Sequence, residues 1–313
     1  MNRARLTLRV PPPFELRLAL FGHGFIDLCP NGWTEATGRF TTVLPIGDRA
    51  CDVEVAQHRD ALRATVSSER ALSRAELARV RGALSRMLRL EDDLSPLWRL
   101  CRADPERAWV ARRGAGRLLR SPTVFEDLAK LLLTTNCSWA ATRGMVRRLT
   151  ESLGTAGPGG KPAFPAAQVC AARDPEFFRQ TVRAGYRATA LHALAVGFAE
   201  GRYTDAFFEA PDAPTEVVRD RLLALPGFGP YAAGQALRLL GRYSEFALDS
   251  WCRARLAQRF PRSKHDEQAL GRRYRRYGDY RGLVLWLDLT ARWHGEGPEA
   301  ASKDTILTAA TGE

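Results

Sequence analysis

The chain has 313 residues, 45% of them hydrophobic, which is enough to bury a large core in one composite domain or in two to three subdomains. Its longest apolar stretches, such as residues 283–287, are far shorter than the ~20 residues that cross a bilayer, and no secretory segment is seen, so a membrane protein is not expected. The formal net charge of +12 favours a polyanionic partner, although the arginine content that follows from a GC-rich coding bias would give the same charge.

Residues 1–70 predict an antiparallel β subdomain. Apolar and polar residues alternate over 14–20, 51–55 and 61–66, and glycines punctuate these stretches. A Phe-Gly-His-Gly-Phe segment at 21–25 follows the first stretch, and turn and core positions are the plain interpretation of its His and Phe side chains.

Residues 71–120 predict a helical connection that packs on the rest of the protein. Ser73 and Glu76 form a capping-box pattern that opens its first helix. The arginines at 112–113 and 117–120 predict a loop that either contacts phosphate or forms a solvated basic surface.

Residues 121–294 predict a helical core. A helix begins over 121–128 and ends within 131–139, where Asn136 could serve as an ordinary C-cap. A Gly/Pro-rich link and a further helix lead to a Gly-Tyr-Arg-Ala turn that contains Tyr186 and Arg187. A buried tyrosine beside a surface arginine is the alternative interpretation of this pair.

Residues 221–233 predict a helix, a tight turn and a second helix. Gly227 and Gly229 supply backbone freedom, and Pro230 stands where the second helix can accept a missing N–H. Without side chains at these glycines, a phosphate can approach the turn amides and the positive end of the second helix. Such a hairpin, which includes Phe228 and Tyr231, binds a nucleic-acid backbone without recognising its sequence.

Asp249 follows the hairpin by about twenty residues, at the predicted N-cap of another helix. The helix end favours the ionised carboxylate. An isolated Asp before a helix is most simply a cap, but its place behind this hairpin makes it a candidate catalytic group.

These motifs resemble the signature of the helix-hairpin-helix superfamily of DNA glycosylases, in particular the 8-oxoguanine and alkylated-base branches. The resemblance covers roughly residues 10–293 and is densest over 121–260. It implies an α+β fold that is mostly α. A small N-terminal antiparallel sheet precedes two helical subdomains, with the hairpin and a DNA cleft between them.

The resemblance also implies roles for individual residues. Asp249 would face the sugar of an everted nucleotide and help a water molecule attack. Asn136 would fill the gap that the everted base leaves, Tyr186 would wedge beside it, and Arg187 would bond the base opposite.

Position 231 departs from the pattern of the glycosylases that also cut the strand. These enzymes have a Lys there, which forms a Schiff base with the sugar, whereas this chain has Tyr231. The sequence contains four lysines, and none aligns with the site: Lys130, Lys161, Lys264 and Lys303. We therefore expect a monofunctional enzyme that leaves an abasic site and has no lyase activity.

The final helix aligns Leu285 with the Gln that recognises the damaged base in 8-oxoguanine enzymes, which removes that hydrogen bond. Phe25, Tyr231, Trp286 and Asp288 are further candidates for the base pocket; a buried Trp and a paired Asp are the alternatives for the last two. An aromatic pocket with one carboxylate suits an alkylated or otherwise damaged purine, including a cationic one. A bulky modified pyrimidine, such as a hypermodified cytosine of phage DNA, and a non-catalytic DNA-binding module are the other hypotheses.

The six cysteines are scattered without a Cys-x-x-Cys pair, which is typical of reduced thiols in the cytosol. No cysteine follows Cys252, so an iron–sulfur cluster is not expected. The hairpin could hold a sodium or potassium ion on the backbone carbonyls of Leu223, Leu225 and Phe228. We expect a monomeric cytoplasmic protein, associated with the nucleoid, whose partner is double-stranded DNA, and a C-terminal tail over 295–313 without strong pattern.

Overall fold

A five-stranded antiparallel sheet forms the N-terminal part of the computed structural model, which describes residues 1–296. The strands are β1 (Asn2–Arg9), β2 (Gly32–Thr34), β3 (Arg39–Ile46), β4 (Arg49–His58) and β5 (Ala61–Ser68). Their order in the sheet is β1-β5-β4-β3-β2, and Val53 of β4 pairs with Val66 of β5. Alternate side chains of β1 and β5 enter the core, as the period of two requires.

The strand predicted over residues 14–20 is wrong, because Leu16–Phe21 forms a helix. Leu16 and Leu20 are four residues apart, so they share one face of a helix, and both are buried. Gln57 of β4 fixes the start of this helix, since its side chain accepts the Leu16 amide at 2.7 Å and donates to the Phe14 carbonyl at 2.9 Å. A long-range contact therefore decides a pattern that is locally ambiguous.

Helices make up most of the remaining described chain, so the predicted α+β fold with predominant helix is confirmed. The predicted capping box of Ser73 and Glu76 opens the second helix. The helices are α1 (Leu16–Phe21), α2 (Arg74–Leu88), α3 (Ser95–Arg102), α4 (Ala108–Arg113), α5 (Val124–Leu132), α6 (Trp139–Leu153), α7 (Ala167–Ala171), α8 (Pro175–Gln180), α9 (Ala188–Ala199), α10 (Asp205–Glu209), α11 (Thr215–Leu223), α12 (Pro230–Leu239), α13 (Ser250–Arg259), α14 (Glu267–Arg273) and α15 (Arg281–Thr290).

One continuous hydrophobic core runs from Leu6 in the sheet to Ala291 after α15. Helix α5 lies at its centre: all nine of its residues are buried, and it contacts α9, α10 and α12. The predicted tail over 295–313 lies, beyond Glu296, outside the described residues.

Charged side chains are buried on and around α5. Lys130 is fully buried, and its Nζ lies 2.5 Å from Oε1 of Glu126, between the rings of Phe25 and Phe164. Burial raises the pKa of Glu126, while Lys130 opposes this shift. The pair therefore depends on mutual neutralisation in a place that water does not reach.

The prediction that the arginines at 117–120 contact phosphate or form a solvated basic surface is also wrong. Arg117 and Arg120 are both buried. Arg117 donates to the backbone carbonyls of Arg89 and Asp92, and Arg120 pairs with Glu209. These guanidinium groups join α2, the loop before α5 and α10, and they are not available to phosphate.

Replacement of Glu126 by Gln should destabilise the protein by about 3–5 kcal/mol, because it leaves the Lys130 ammonium buried without a counter-charge. The double variant Glu126→Leu/Lys130→Met should regain most of this loss. Urea unfolding followed by circular dichroism measures both. Glu176→Gln, which breaks an exposed ion pair with Arg179, is the control and should leave the midpoint unchanged. A double variant as unstable as Glu126→Gln would contradict this explanation.

Candidate active site

The predicted hairpin is formed by α11, a turn over 224–229 and α12. Gly227 has φ +78°, and a Cβ there would lie 2.8 Å from Cδ1 of Leu132 and 3.0 Å from Cβ of Ala190. The turn is thus packed directly on α5 and α9. On its outer side nothing lies within 4 Å of a Cβ built on Gly229, which caps α12. The first amides of α12 are therefore accessible to an anion.

The side chain of Phe228, predicted as part of the DNA-binding turn, is buried and anchors the hairpin. Its amide donates to the Leu225 carbonyl at 3.1 Å. Of the carbonyls at Leu223, Leu225 and Phe228 that are predicted to hold a sodium or potassium ion, the Leu225 oxygen thus has one hydrogen bond and a lone pair left for an ion. Oxygen donors of this kind suit a hard cation.

Asp249 is the N-cap of α13, as predicted. Its Oδ1 accepts the amide of Cys252 at 2.6 Å, and its side chain is partly exposed. The carboxylate is therefore fixed on one side by the helix end and open to a ligand on another.

The Asp249 loop, residues 240–249, is clamped between α12 and α15. A Cβ on Gly234 of α12 would lie 2.7 Å from Cβ of Ala247, and Gln235 donates to the Ala247 carbonyl at 3.2 Å. On the other side the amide of Gly282 in α15 donates to the Tyr243 carbonyl at 2.8 Å. Ala247 has φ +49°, an unfavourable value for a residue with a Cβ, and the clamp maintains it.

Tyr231, in the first turn of α12, interacts with Asp249 across this clamp. Its side chain lies close enough to Asp249 for the carboxylate charge to act on its hydroxyl. Burial raises the pKa of Tyr231, and the charge of Asp249 raises it further. Tyr231 is therefore a neutral group beside the carboxylate.

Two predicted wedge residues, Asn136 and Tyr186, meet at the surface. The wedge loop, residues 133–138, connects α5 to α6, and within it Asn136 has φ +48°. Asn136 Nδ2 donates to the hydroxyl of Tyr186 at 3.0 Å, and the side chain of Tyr186 is 64% exposed. The structure thus brings together residues 50 positions apart and presents an aromatic ring to solvent beside Asn136.

Arg187 is buried, unlike the predicted reader of an opposite base. Its Nε donates to the Thr135 carbonyl at 2.9 Å and its Nη1 to the Ala184 carbonyl at 3.3 Å. The guanidinium lies 4.5 Å from the ring centroid of Tyr186. In this structure Arg187 holds the wedge loop and supports Tyr186, and its contact with the base opposite stays a prediction.

Most of the predicted pocket residues lie in the core. Phe25 and Leu285 are almost completely buried. Asp288 accepts hydrogen bonds from Arg107 at 2.9 Å and from the Tyr274 hydroxyl at 2.7 Å, so it is paired, as the alternative interpretation held. These three side chains are buried among other residues of the described chain, and their place in a base pocket stays a prediction.

Trp286 belongs to an aromatic cluster beside Asp249. Its ring centroid lies 5.8 Å from those of Trp251 and Trp293, both of which are partly exposed. Its Nε1 donates to the Gly22 carbonyl at 2.8 Å, which ties α15 to the segment after α1. The cluster supplies flat apolar surface next to the carboxylate.

Two buried polar residues lie beside Trp286: Arg238, which was not predicted, and His23, for which a turn or core position was predicted. Arg238 is 1% exposed and lies 4.8 Å from the ring centroid of Trp286; its guanidinium donates to the side chain of Gln235 and to the carbonyl of Phe246. His23 is buried without a hydrogen-bond partner for its Nδ1 within the described chain. Residues 231, 235 and 238 are spaced by four and three positions, so their side chains share one face of α12. This spacing was the available sequence signal that Arg238 lies on the same face as Tyr231.

Beside Tyr186 lies an arginine cluster made of Arg147, Arg148 and Arg183. Arg147 and Arg183 are exposed, and Arg148 Nε donates to the Val182 carbonyl at 2.9 Å. Burial and then the charges of Arg183 and Arg147 lower the pKa of Arg148. The cluster therefore has an excess of positive charge next to the wedge loop.

Residues 1–296 contain no group of three or more His, Cys, Asp or Glu side chains placed to hold a metal ion. None of the helices over the same residues has the length and apolar character needed to span a membrane.

Neither the family models nor the curated proteins contain a match to this sequence. Solved structures do resemble it. The 3-methyladenine DNA glycosylase from Archaeoglobus fulgidus superposes with a TM-score of 0.71 and 19% identity, covering 92% of this chain and 99% of that one. MBOgg1 in complex with a low-affinity DNA ligand gives a TM-score of 0.71 and 19% identity over 95% of this chain and 100% of that one.

The apo-form of the 8-oxoguanine glycosylase/lyase from Clostridium acetobutylicum superposes with a TM-score of 0.62 and 17% identity, over 86% of this chain and 93% of that one. At such identities the similarity establishes the fold and no more. The chain has the fold that 3-methyladenine and 8-oxoguanine DNA glycosylases share.

Proposed function

We propose that the protein is a monofunctional DNA glycosylase that hydrolyses the N-glycosidic bond of an everted base. The observation that carries this proposal is the position of Asp249, which is clamped between α12 and α15 directly behind the hairpin. A helix cap alone would not need a loop held in an unfavourable backbone conformation. The fold shared with glycosylases supports the same conclusion.

The site residues have separate roles in the proposed reaction. The outer amides of α12 bind a phosphate and so fix the DNA backbone beside Asp249. The carboxylate stabilises the positive charge that develops on the sugar as the base departs, and it accepts a proton from the attacking water. Tyr231 stays neutral and cannot attack the sugar as an amine would.

Asn136 and Tyr186 keep the nucleotide everted. Removal of a base from the stack costs a few kcal/mol, and the gap must be filled or the base returns. Asn136 occupies this gap while the exposed ring of Tyr186 stacks on a neighbouring base. Arg187 supports both residues from below through the Thr135 carbonyl.

The substrate is a damaged or modified base in double-stranded DNA, with a damaged purine as first choice. The rings of Tyr231, Trp251 and Trp293 offer stacking surface beside Asp249. A monovalent cation on the carbonyls of Leu223, Leu225 and Phe228 would add positive charge to the turn and so increase its affinity for phosphate. Mass spectrometry of bases released from DNA that carries a panel of lesions identifies the substrate.

Replacement of Asp249 by Asn should reduce base release by roughly 100-fold or more and leave DNA affinity nearly unchanged, because the amide still caps α13 but carries no charge. Single-turnover release from lesion-containing duplex measures the first quantity and fluorescence anisotropy the second. Asp266→Asn is the matched control, since Asp266 caps α14 in the same way at 2.7 Å. Unchanged release in Asp249→Asn would reduce the protein to a DNA-binding module.

Borohydride should trap no covalent complex between the native protein and substrate DNA, because position 231 is a tyrosine and supplies no amine that could form a Schiff base. Lys130 is buried in the core in an ion pair, Lys161 and Lys264 are exposed and belong to neither the hairpin nor the Asp249 loop, and Lys303 lies outside the described residues. Tyr231→Lys supplies an amine beside Asp249 and serves as the positive comparison. A borohydride adduct of the native chain in denaturing gel electrophoresis would overturn the monofunctional assignment.

DNA affinity should fall linearly with salt concentration in a log–log plot. Arg147→Gln and Arg183→Gln should each make the slope shallower by about 0.9 if each arginine neutralises one phosphate of B-DNA. Arg202→Gln is the control, since Arg202 lies beyond the far end of α9 and is paired with Glu200. Slopes that stay unchanged in the two cluster variants would place the DNA on another surface.

A further inference from the structure

Arg238 carries a positive charge into the interior without a direct acidic partner. Its two terminal nitrogens donate to neutral acceptors, Nη1 to Gln235 Oε1 at 2.9 Å and Nη2 to the Phe246 carbonyl at 2.8 Å, while Nε has no partner. No carboxylate in residues 1–296 lies within 4.0 Å of its guanidinium. Neutral donors could make the same two hydrogen bonds, and an unpaired buried charge is costly, so the charge itself requires an explanation.

The groups that face Arg238 come from three elements around the site. Tyr231 is on its own helix, Cys252 and Asp249 are at the start of α13, and His23 lies before the turn that precedes β2. Burial raises the pKa of Tyr231 and raises that of Cys252 to about 12, so both are uncharged. Burial, with the Arg238 charge, lowers the pKa of His23 to about 3, so His23 is also neutral.

Asp249 is therefore the single negative charge in this group, and Arg238 the single positive one. The two charges offset each other, which leaves the surroundings of the carboxylate without a net negative charge. A guanidinium does not lose its proton at any relevant pH, so the positive charge of Arg238 is fixed.

We propose that Arg238 makes the site select uncharged damaged bases over cationic alkylpurines. This inference rests on the proposed glycosylase function. A cationic base would bring a second positive charge close to a desolvated guanidinium. An uncharged base departs with the electron pair of the C1′–N bond and becomes negative, and the Arg238 charge stabilises this leaving group.

The atoms and charges of the reaction balance. The C1′–N bond breaks, its electron pair stays on the base, and the oxygen of water forms the new bond to C1′. Asp249 accepts the proton that water loses. The same proton then passes to the departed base and neutralises its negative charge. The proposed selectivity narrows the substrate class expected from the sequence, which included cationic purines. The sequence does not show that Arg238 is buried near Asp249.

The experiment compares native protein, Arg238→Gln and Arg238→Lys on duplexes that contain 7-methylguanine, which is cationic, or hypoxanthine, 1,N6-ethenoadenine or 8-oxoguanine, which are uncharged. The measured quantity is the ratio of kcat/KM for 7-methylguanine to that for each uncharged lesion released. Arg238→Gln should raise this ratio roughly tenfold or more, because the charge is lost at a short distance. Arg238→Lys keeps the charge and should keep the native ratio.

Both rates in a ratio come from one preparation, so a reduced folded fraction cancels. The native protein gives a second measurement that needs no variant: its acceleration over spontaneous base loss should be larger for an uncharged lesion than for 7-methylguanine. An unchanged ratio in Arg238→Gln, or a larger acceleration for 7-methylguanine, would overturn the inference and leave the glycosylase function standing. Failure of the native protein to release any base would instead refute the proposed function, and this inference with it.

Discussion

The position of Asp249 depends on a close approach between two backbones that only glycine permits. Gly234 lets α12 touch the Asp249 loop at Ala247, and Gly282 lets α15 approach the same loop from the opposite side. A side chain at either position would overlap atoms of the loop. Because α12 is also the second helix of the hairpin, one rigid element fixes both the hairpin turn and the carboxylate. The distance between the turn and the acid is thus set by a packed helix.

Buried charges are paired in two different ways in this protein. On α5, Lys130 and Glu126 form a direct ion pair beside aromatic rings, which suits a structural role. Near Asp249, Arg238 instead bonds neutral acceptors and has the Asp249 carboxylate as its counter-charge. Because Asp249 is partly exposed, it can balance a buried guanidinium and still be accessible from solvent.

Asn136 and Tyr186 are more exposed than the carboxylate of Asp249. Asn136 and Tyr186 contact each other through a single hydrogen bond at the surface, above Arg187 and the Thr135 carbonyl. This arrangement supports an exposed ring with buried hydrogen bonds, so the ring has a defined position but free space on its outer side. The neighbouring arginine cluster adds positive charge that Glu151 offsets only in part.

The sequence by itself determined the elements whose signals are local. Strand alternation gave β4 and β5, the capping box gave α2, and the glycines and Pro230 gave the hairpin, with Asp249 correctly placed as the cap of α13. Only the tertiary structure decided which side chains are buried and what they meet. It made residues 14–20 a helix through Gln57, turned Arg187 inwards, and placed Arg238 beside Asp249. The reason is physical: caps and periods act within a few residues, whereas burial and pairing of charge depend on distant segments that no local pattern encodes.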